Sequence, residues 1–242
     1  MTGAELDALT PAEVEGLLSG PGRAAFLSGA AEIGIAEAQL VYGQMLLDGA
    51  GVERDERAAL GWFVRAAGQG HVLALNMVGR CYDQGWGTRV DKARAAQAFR
   101  IAAERGSDWA MYNYATLLAL GEGVAQDRAA ALGWLERAAG LGNAKALNFV
   151  GSFHEDGWVV ARDLRKAASC YARAANAGDF RAMFNHARML TDAGRTGDAL
   201  RWVARAGRAG NAAFVAKAAA WLARSPLGPA GVAAIRGEAT AC

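Results

Sequence analysis

Small and apolar residues return along the chain with a period of 36 residues. Five columns of residues keep this step without drift, and chance does not produce five such columns together. A fixed period of this length is the sequence signature of a repeat architecture. The columns are Ala38, Ala74, Ala110, Ala146 and Ala182; Gly34, Gly70, Gly106, Gly142 and Gly178; Gly49, Gly85, Gly121 and Gly157; Asp55, Asp91, Asp127 and Asp163; and the Ala-Ala pairs that begin at Ala30, Ala66, Ala102, Ala138 and Ala174.

Each period predicts two helices, named helix A and helix B. Helix A begins near Glu37 and places Ala38, Gly43 and Leu46 on one face at helical spacing. Because glycine is unfavourable inside a helix by about 1 kcal/mol relative to alanine, its recurrence in this column predicts that a neighbouring helix backbone approaches closely there. The members of this small-residue column are Gly43, Gly79, Ala115, Gly151 and Ala187.

The ends of both helices carry their own signals. Gly49 and its equivalents are predicted to end helix A in a left-handed conformation, and the Asp55 column to cap helix B. Helix B then carries an apolar column and ends at the Gly70 column. The apolar column is Phe63, Phe99, Leu135 and Tyr171, and the residues expected to cap the next helix A are His71, Ser107, Asn143, Asp179 and Asn211.

One helix pair cannot bury its apolar face alone, so successive pairs must stack into an all-α solenoid. Thr10-Pro11-Ala12-Glu13 resembles a capping box with proline at the first helical position and opens an N-terminal helical cap. The fifth repeat is four residues shorter than the others, in the loop around Gly194. The predicted domains are the cap (1–35), five repeats (36–71, 72–107, 108–143, 144–179 and 180–210), a capping helix (211–224) and a flexible tail (225–242).

Composition limits the function classes. The chain has 242 residues and a formal net charge of +2. With so small a net charge we expect basic and acidic residues to be interspersed, which argues against nucleic-acid binding. No apolar run reaches the roughly 18 residues that span a bilayer, and the acidic N-terminal residues do not resemble a secretory signal. Because the three cysteines are dispersed (Cys81, Cys170 and Cys242), the expectation is a cytoplasmic protein without membrane association.

Residue types that carry catalysis are few. His71 lies in the capping column, and His154 and His186 lie in columns filled elsewhere by apolar residues. Cys81 and Cys170 also occupy apolar columns, so buried structural roles are predicted for both. The Gly-x-Gly elements follow a helix rather than a strand and are interpreted as turns, not as a dinucleotide loop. They are Gly49-Ala50-Gly51, Gly85-Trp86-Gly87 and Gly121-Glu122-Gly123. We therefore expect no enzyme, no cofactor and no metal site.

The repeated columns resemble those of the Sel1-like repeat, a bacterial and eukaryotic relative of the tetratricopeptide repeat. The resemblance covers about residues 36–210. It implies a right-handed α/α superhelix that serves as an adaptor for protein partners. It rests on Val78-Gly79-Arg80-Cys81-Tyr82, on Gly121-Glu122-Gly123-Val124-Ala125-Gln126-Asp127, and on Trp134-Leu135-Glu136-Arg137-Ala138-Ala139-Gly140-Leu141-Gly142.

By analogy with related helical repeats, the inner groove is lined by helix-A positions beside the small-residue column. Aromatic and arginine side chains are enriched at binding hot spots, and amides can hold an extended peptide backbone. A protein or peptide partner, with a mild preference for acidic groups, is the hypothesis. The candidate partner-binding residues are Asn76, Arg80, Trp109, Tyr112, Lys145, Asn148, Arg181, Phe184 and Arg188, with the loop residues Trp86 and Trp158 as a weaker pair.

Three alternatives remain open at this stage. The candidate residues could form a solvated helix face with incidental aromatics. A cysteine-rich bacterial branch of the family is linked to the periplasm and to β-lactam binding or hydrolysis, which implies a hydrolase or a binding protein for a β-lactam or cell-wall fragment. This sequence lacks the cysteine pairs of that branch. A purely structural role through homo-oligomerisation of exposed end helices is the third alternative.

Overall fold

The computed structural model describes residues 2–238 of the chain, and within that range the protein is all-α, with fifteen helices and no strand. The helices are α1 (Gly3–Asp7), α2 (Pro11–Ser19), α3 (Arg23–Glu32), α4 (Ala36–Asp48), α5 (Glu56–Gly68), α6 (Val72–Gln84), α7 (Lys92–Glu104), α8 (Asp108–Leu120), α9 (Arg128–Gly140), α10 (Ala144–Asp156), α11 (Leu164–Asn176), α12 (Phe180–Asp192), α13 (Thr196–Ala209), α14 (Ala212–Leu222) and α15 (Gly228–Arg236). None of the helices within this range is long and apolar enough to cross a membrane.

The predicted helix-end signals operate as expected. Asp179 accepts a hydrogen bond from the backbone N–H of Ala182 at 2.7 Å, and Asn143 accepts one from Ala146 at 3.0 Å. These bonds satisfy donors that the first turn of a helix leaves without an intrahelical partner. At the other end of helix A, Gly49 has φ of 69°, in the left-handed region that glycine adopts without steric cost. Each helix from α4 to α12 is therefore held to the same length of 13 residues.

The chain divides into two compact units, residues 1–127 and residues 128–242. In unit 1, α4 packs with α5 and α6 packs with α7. A Cβ atom built on Gly79 would lie 2.6 Å from the ring of Phe99, whose side chain is 1% exposed. The prediction that a helix backbone fills the space beside this glycine is therefore wrong, because the aromatic ring of the paired helix B fills it.

The second glycine of the Gly-x-Gly element is also explained by packing in unit 1. Gly87 has φ of 67°, and a Cβ atom there would collide with the backbone of Glu56 and Arg57 at the start of α5. Gly123 makes the equivalent approach to Lys92 and Ala93 at the start of α7. The element is a turn that lets one loop rest against the preceding helix B, in agreement with the interpretation from sequence.

Unit 2 repeats the same arrangement, with α10 paired to α11 and α12 paired to α13. The ring of Tyr171 fills the space beside Gly151, where an added Cβ would lie 2.6 Å from it. The short connection between α12 and α13 spans residues 193–195. The apolar core of this unit continues through α13 into α14 and α15.

The prediction of a flexible tail over 225–242 is wrong where the structure describes it. Residues 228–236 form α15, which packs against α13 and α14. Leu227 and Ile235 are 5% and 1% exposed, and a Cβ on Gly207 of α13 would collide with the carbonyl of Ile235. The apolar residues of this segment therefore cover the last helices of the core. Cys242 lies outside the described residues.

Candidate partner-binding surface

Four aromatic rings meet on one face of unit 2. Phe184 of α12 packs edge-on against Phe214 and Trp221 of α14, with ring centroids 5.9 and 5.4 Å apart. Phe180 lies 4.7 Å from Phe214 in the same geometry. These edge-to-face contacts fix the rings relative to one another, yet Trp221 remains 39% exposed. An exposed, positioned aromatic cluster is a feature typical of binding surfaces.

Basic side chains border these rings. The guanidinium of Arg181 lies 4.7 Å from the ring centroid of Phe180, and that of Arg188 lies 5.8 Å from Trp221. Lys217 is exposed and follows Phe214 by three residues and precedes Trp221 by four, which places it on the same side of α14. We call this set the basic–aromatic surface: Phe180, Arg181, Phe184, Arg188, Phe214, Lys217 and Trp221.

Arg188 is held in place by a polar network beneath the surface. Its Nη2 atom lies 2.6 Å from Oε1 of Glu155 on α10, and its Nη1 atom donates to Oδ1 of Asn185 at 3.1 Å. The hydroxyl of Tyr171 donates to the other oxygen of Glu155 at 2.6 Å. Burial is the larger cause and the bond to Glu155 the smaller cause of a pKa of Tyr171 above its ordinary value. The hydroxyl therefore stays a proton donor.

Amides connect α10 to α12 beside this network. Nδ2 of Asn185 donates to Oδ1 of Asn148 at 3.0 Å. Lys145, one turn before Asn148, is half-buried. Burial raises the pKa of the neighbouring Asp179, and the backbone N–H of Ala182 opposes that rise. Asn185 therefore links Asn148 to Arg188, and Trp221 contacts both Phe184 and Arg188. Arg181 is exposed at the edge.

The four candidate residues of unit 1 lie in a different setting. Asn76 is buried, at 7% exposure, and its Oδ1 accepts a hydrogen bond from Nδ2 of Asn113 at 3.0 Å. The guanidinium of Arg80 lies 4.8 Å from the ring of Trp86. Trp109 is 45% exposed and Tyr112 is half-buried. The guanidinium of Arg80 therefore covers the ring of Trp86 in the loop after α6. Trp109 is the most exposed apolar residue among the four candidates of unit 1.

The three histidines are half-buried and Cys81 is buried. His71 accepts a bond from the N–H of Ala74 at 3.3 Å, and burial raises the pKa of the Cys81 thiol to about 11. His154 and His186 each have a buried Nδ1 atom with no hydrogen-bond partner. Burial lowers the pKa of His186, whose ring stands edge-on to Trp202 at 5.2 Å. Within residues 2–238, no three His, Cys, Asp or Glu side chains are grouped so that they could hold a metal ion.

The charges are not interspersed evenly, which corrects the expectation from the total of +2. Residues 1–127 contain 16 Asp and Glu against 10 Lys and Arg, whereas residues 128–242 contain 8 against 16. The formal charges are therefore −6 and +8. The whole-chain sum conceals this difference because the two values nearly cancel. A charge asymmetry of this size affects which charged partners each half attracts and which it repels.

Several residues that contact the candidate residues were not among those predicted. Asn113 and Asn185 lie 72 residues apart in one column, which is a signal that a search of the neighbouring columns would have found. Glu155 occupies the column of Leu47, Asp83 and Ala119, in which the residue type changes from repeat to repeat and no pairing with Arg188 is indicated. Trp221 aligns with the buried Met45, yet Trp221 is 39% exposed.

Solved structures of other proteins share the all-α fold of this chain. A Sel1 repeat protein from Oxalobacter formigenes is 26% identical, with a TM-score of 0.71 over 90% of this chain and 95% of that one. A protective antigen with an SLR fold from uropathogenic Escherichia coli is 29% identical, with a TM-score of 0.64; the match covers 86% of this chain and 45% of the antigen. An immunity protein from Pseudomonas aeruginosa, 17% identical over 83% of this chain and 75% of that protein, shares the fold at a TM-score of 0.59.

No curated protein matches the sequence. The Sel1 repeat family model matches four ranges, 36–71, 72–107, 110–143 and 144–179, which together exceed half of the chain. The fifth predicted repeat lies outside these ranges. Proteins built from this repeat are commonly protein–protein interaction scaffolds and are not generally enzymes, and the relatives give no support to the hydrolase alternative. With its register, its helix pairs and its structural relatives in agreement, this chain belongs to the Sel1 repeat family.

Proposed function

We propose that the protein is a non-enzymatic interaction scaffold and that the basic–aromatic surface of unit 2 binds a peptide segment or a partner protein. The observation that carries this proposal is the packing of Phe184 between Phe214 and Trp221, with Trp221 39% exposed. Rings that are already fixed lose little conformational freedom when a partner covers them, so more of the buried apolar area contributes to affinity.

The surface also has a chemical preference. Arg181 is exposed at its edge, while Arg188 is neutralised by Glu155 and fixed by Asn185. The amide of Asn148 uses its oxygen for Asn185, which leaves its Nδ2 group to donate to a peptide carbonyl. A segment with apolar side chains for the rings and an acidic side chain for Arg181 fits these features.

A phage-displayed library of random linear peptides selected on the full chain tests this function. We expect enriched peptides that combine acidic with aromatic or large aliphatic residues. In the double variant F184A/W221A their affinity should fall by at least about tenfold, as for interface hot spots. Arg181→Glu should weaken the acidic peptides and leave neutral ones unchanged.

The matched control is R165E/R208E, which changes exposed residues of α11 and α13 on unit 2 outside the basic–aromatic surface. Peptides should bind this control as they bind the natural sequence. Equal binding to F184A/W221A, with circular dichroism showing an intact fold, would place the binding site elsewhere and refute the proposal.

The domain plan and the cellular location are proposals of the same kind. We propose that residues 180–210 are a fifth, shortened repeat, supported by the pairing of α12 with α13.

A cytoplasmic location is supported by the unpaired thiols of Cys81 and Cys170. Cell fractionation that recovered the protein outside the cytoplasm would refute that location.

A further inference from the structure

The apolar face of helix α2 is covered only in part by α3, and Val14 and Leu17 are half-buried. It contains no buried residue, and Leu18 is 40% exposed. A shallow cavity of about 520 Å³ lies on this face, and all its lining residues come from positions 9–19. The cavity therefore has one wall only. The helix is nevertheless well defined at its start, because Thr10 and Glu13 form a capping box.

The N-terminal sequence that contains α2 is acidic. Residues 1–22 contain four Asp and Glu and no Lys or Arg. On α2, Val14, Leu17 and Leu18 are spaced as the apolar face of a short amphipathic helix, with Glu15 beside them. Such a helix is suited to a groove that offers apolar rings bordered by positive charge.

The basic–aromatic surface of unit 2 offers that combination. Phe184 and Trp221 supply half-exposed rings, and Arg181 and Lys217 are exposed cations beside them. The opposite formal charges of the two halves, −6 and +8, extend the complementarity beyond these contacts. Complementary potentials of this kind favour encounter of the two surfaces and fix their register.

We propose that α2 of one copy of this chain docks on the basic–aromatic surface of a second copy. The proposal rests on the proposed function, because it uses the same surface and names its occupant. The two contacting faces are different, so the contact is heterologous and joins copies head to tail. A second copy is favoured over nucleic acid or an anionic membrane because those partners would repel the acidic half of the chain.

Two full-length variants separate the two sides of this contact. The first, E15K/L18A, changes the exposed face of α2 and keeps the capping box. The second, R181E/K217E, reverses two exposed charges of unit 2 and keeps all four rings. Glu53→Lys and R165E/R208E are controls that change the charge of the same unit by the same amount at exposed positions elsewhere.

Sedimentation velocity over a range of concentrations gives the readout. At low salt we expect the natural chain to grow beyond a dimer as its concentration rises, and higher salt should weaken this growth. Each of the two variants alone should need at least about tenfold higher concentration to associate. The two controls should sediment like the natural chain.

Mixing the two variants is the decisive step. The intact α2 of R181E/K217E can dock on the intact unit 2 of E15K/L18A, so the mixture should form a one-to-one dimer and stop there. A natural chain that is monomeric at every concentration overturns the proposal, as do variants that associate like the natural chain. The proposed function is judged separately, because peptide binding lost in F184A/W221A stands whether or not the chain self-associates.

Discussion

Glu155 of α10 and Arg188 of α12 form an ion pair, Oε1 to Nη2 at 2.6 Å, that fixes one edge of the basic–aromatic surface. The side chains are 17% and 29% exposed, so water screens the pair only in part. The same carboxylate accepts the hydroxyl of Tyr171 at 2.6 Å, which ties the pair to the packed core of the repeat. Arg188 is therefore a positioned group whose charge is balanced before any partner arrives.

Glu155→Ala should lower the free energy of unfolding by about 2 kcal/mol, because it removes the charged acceptor of Arg188 and the nearer of the two acceptors of the Tyr171 hydroxyl. Equilibrium urea unfolding measures the change. Glu136→Ala on α9, at an exposed position, should stay within about 0.5 kcal/mol of the natural chain. If the two variants unfold at the same urea concentration, the network contributes nothing to stability.

Gly79→Ala and Gly61→Ala should have opposite effects, although both replace a glycine inside a helix of unit 1. At Gly79 the new Cβ would lie 2.6 Å from the ring of Phe99, and overpacking of this kind costs about 1–3 kcal/mol. At Gly61 nothing lies within 4 Å, so the higher helix propensity of alanine should stabilise the protein by up to about 1 kcal/mol. Thermal unfolding of the two variants checks the signs, and a stabilised Gly79→Ala would contradict the packing argument.

Much of this fold could be predicted because the repeat constrains each column separately. The capping side chains of Asn143 and Asp179 and the left-handed backbone of Gly49 act on residues close by in the chain, so sequence alone identifies them. The space beside Gly79 and Gly151 depends instead on which side chain the paired helix offers. Beside both glycines that side chain is aromatic. In the fifth repeat Ala187 stands in the glycine column, and the smaller Val203 of the same core stands in the column of the aromatic rings.

The candidate surface could be predicted only in part. Arg181, Phe184 and Arg188 were found because they stand in the groove columns of a regular repeat. Trp221 was missed because its column holds buried residues, among them Met45, Cys81 and Leu117, in earlier repeats, whereas Trp221 itself is 39% exposed. Glu155 was missed because an ion pair between α10 and α12 depends on side-chain reach, which column spacing does not encode.

Val159→Gly should stabilise the protein by about 1 kcal/mol. Val159 stands where Gly51, Gly87 and Gly123 stand in the first three repeats, and its φ is 52°, a left-handed conformation that a β-branched residue adopts only at a cost. Its side chain is 56% exposed, so little packing is lost on removal. Thermal unfolding measures the gain, and Val160→Gly is a neighbouring control without a positive φ that should lose stability. No gain in Val159→Gly would show that the loop already relieves the strain.

Replacement of His186 should reduce the sensitivity of the protein to mild acid. Burial, with a smaller contribution from the charge of Arg195, lowers the pKa of His186 below the ordinary value of 6.5, so the unfolded chain takes up a proton at a higher pH than the folded one. The unfolded state then binds more protons as the pH falls below about 6.5, and stability falls with it. Two of the four equivalent positions hold Val78 and Val150, so His186→Val should fit the same core. Urea unfolding at pH 7.5 and 5.5 should show a smaller loss of stability in the variant than in the natural chain, and an equal loss in both would assign the acid sensitivity to other groups.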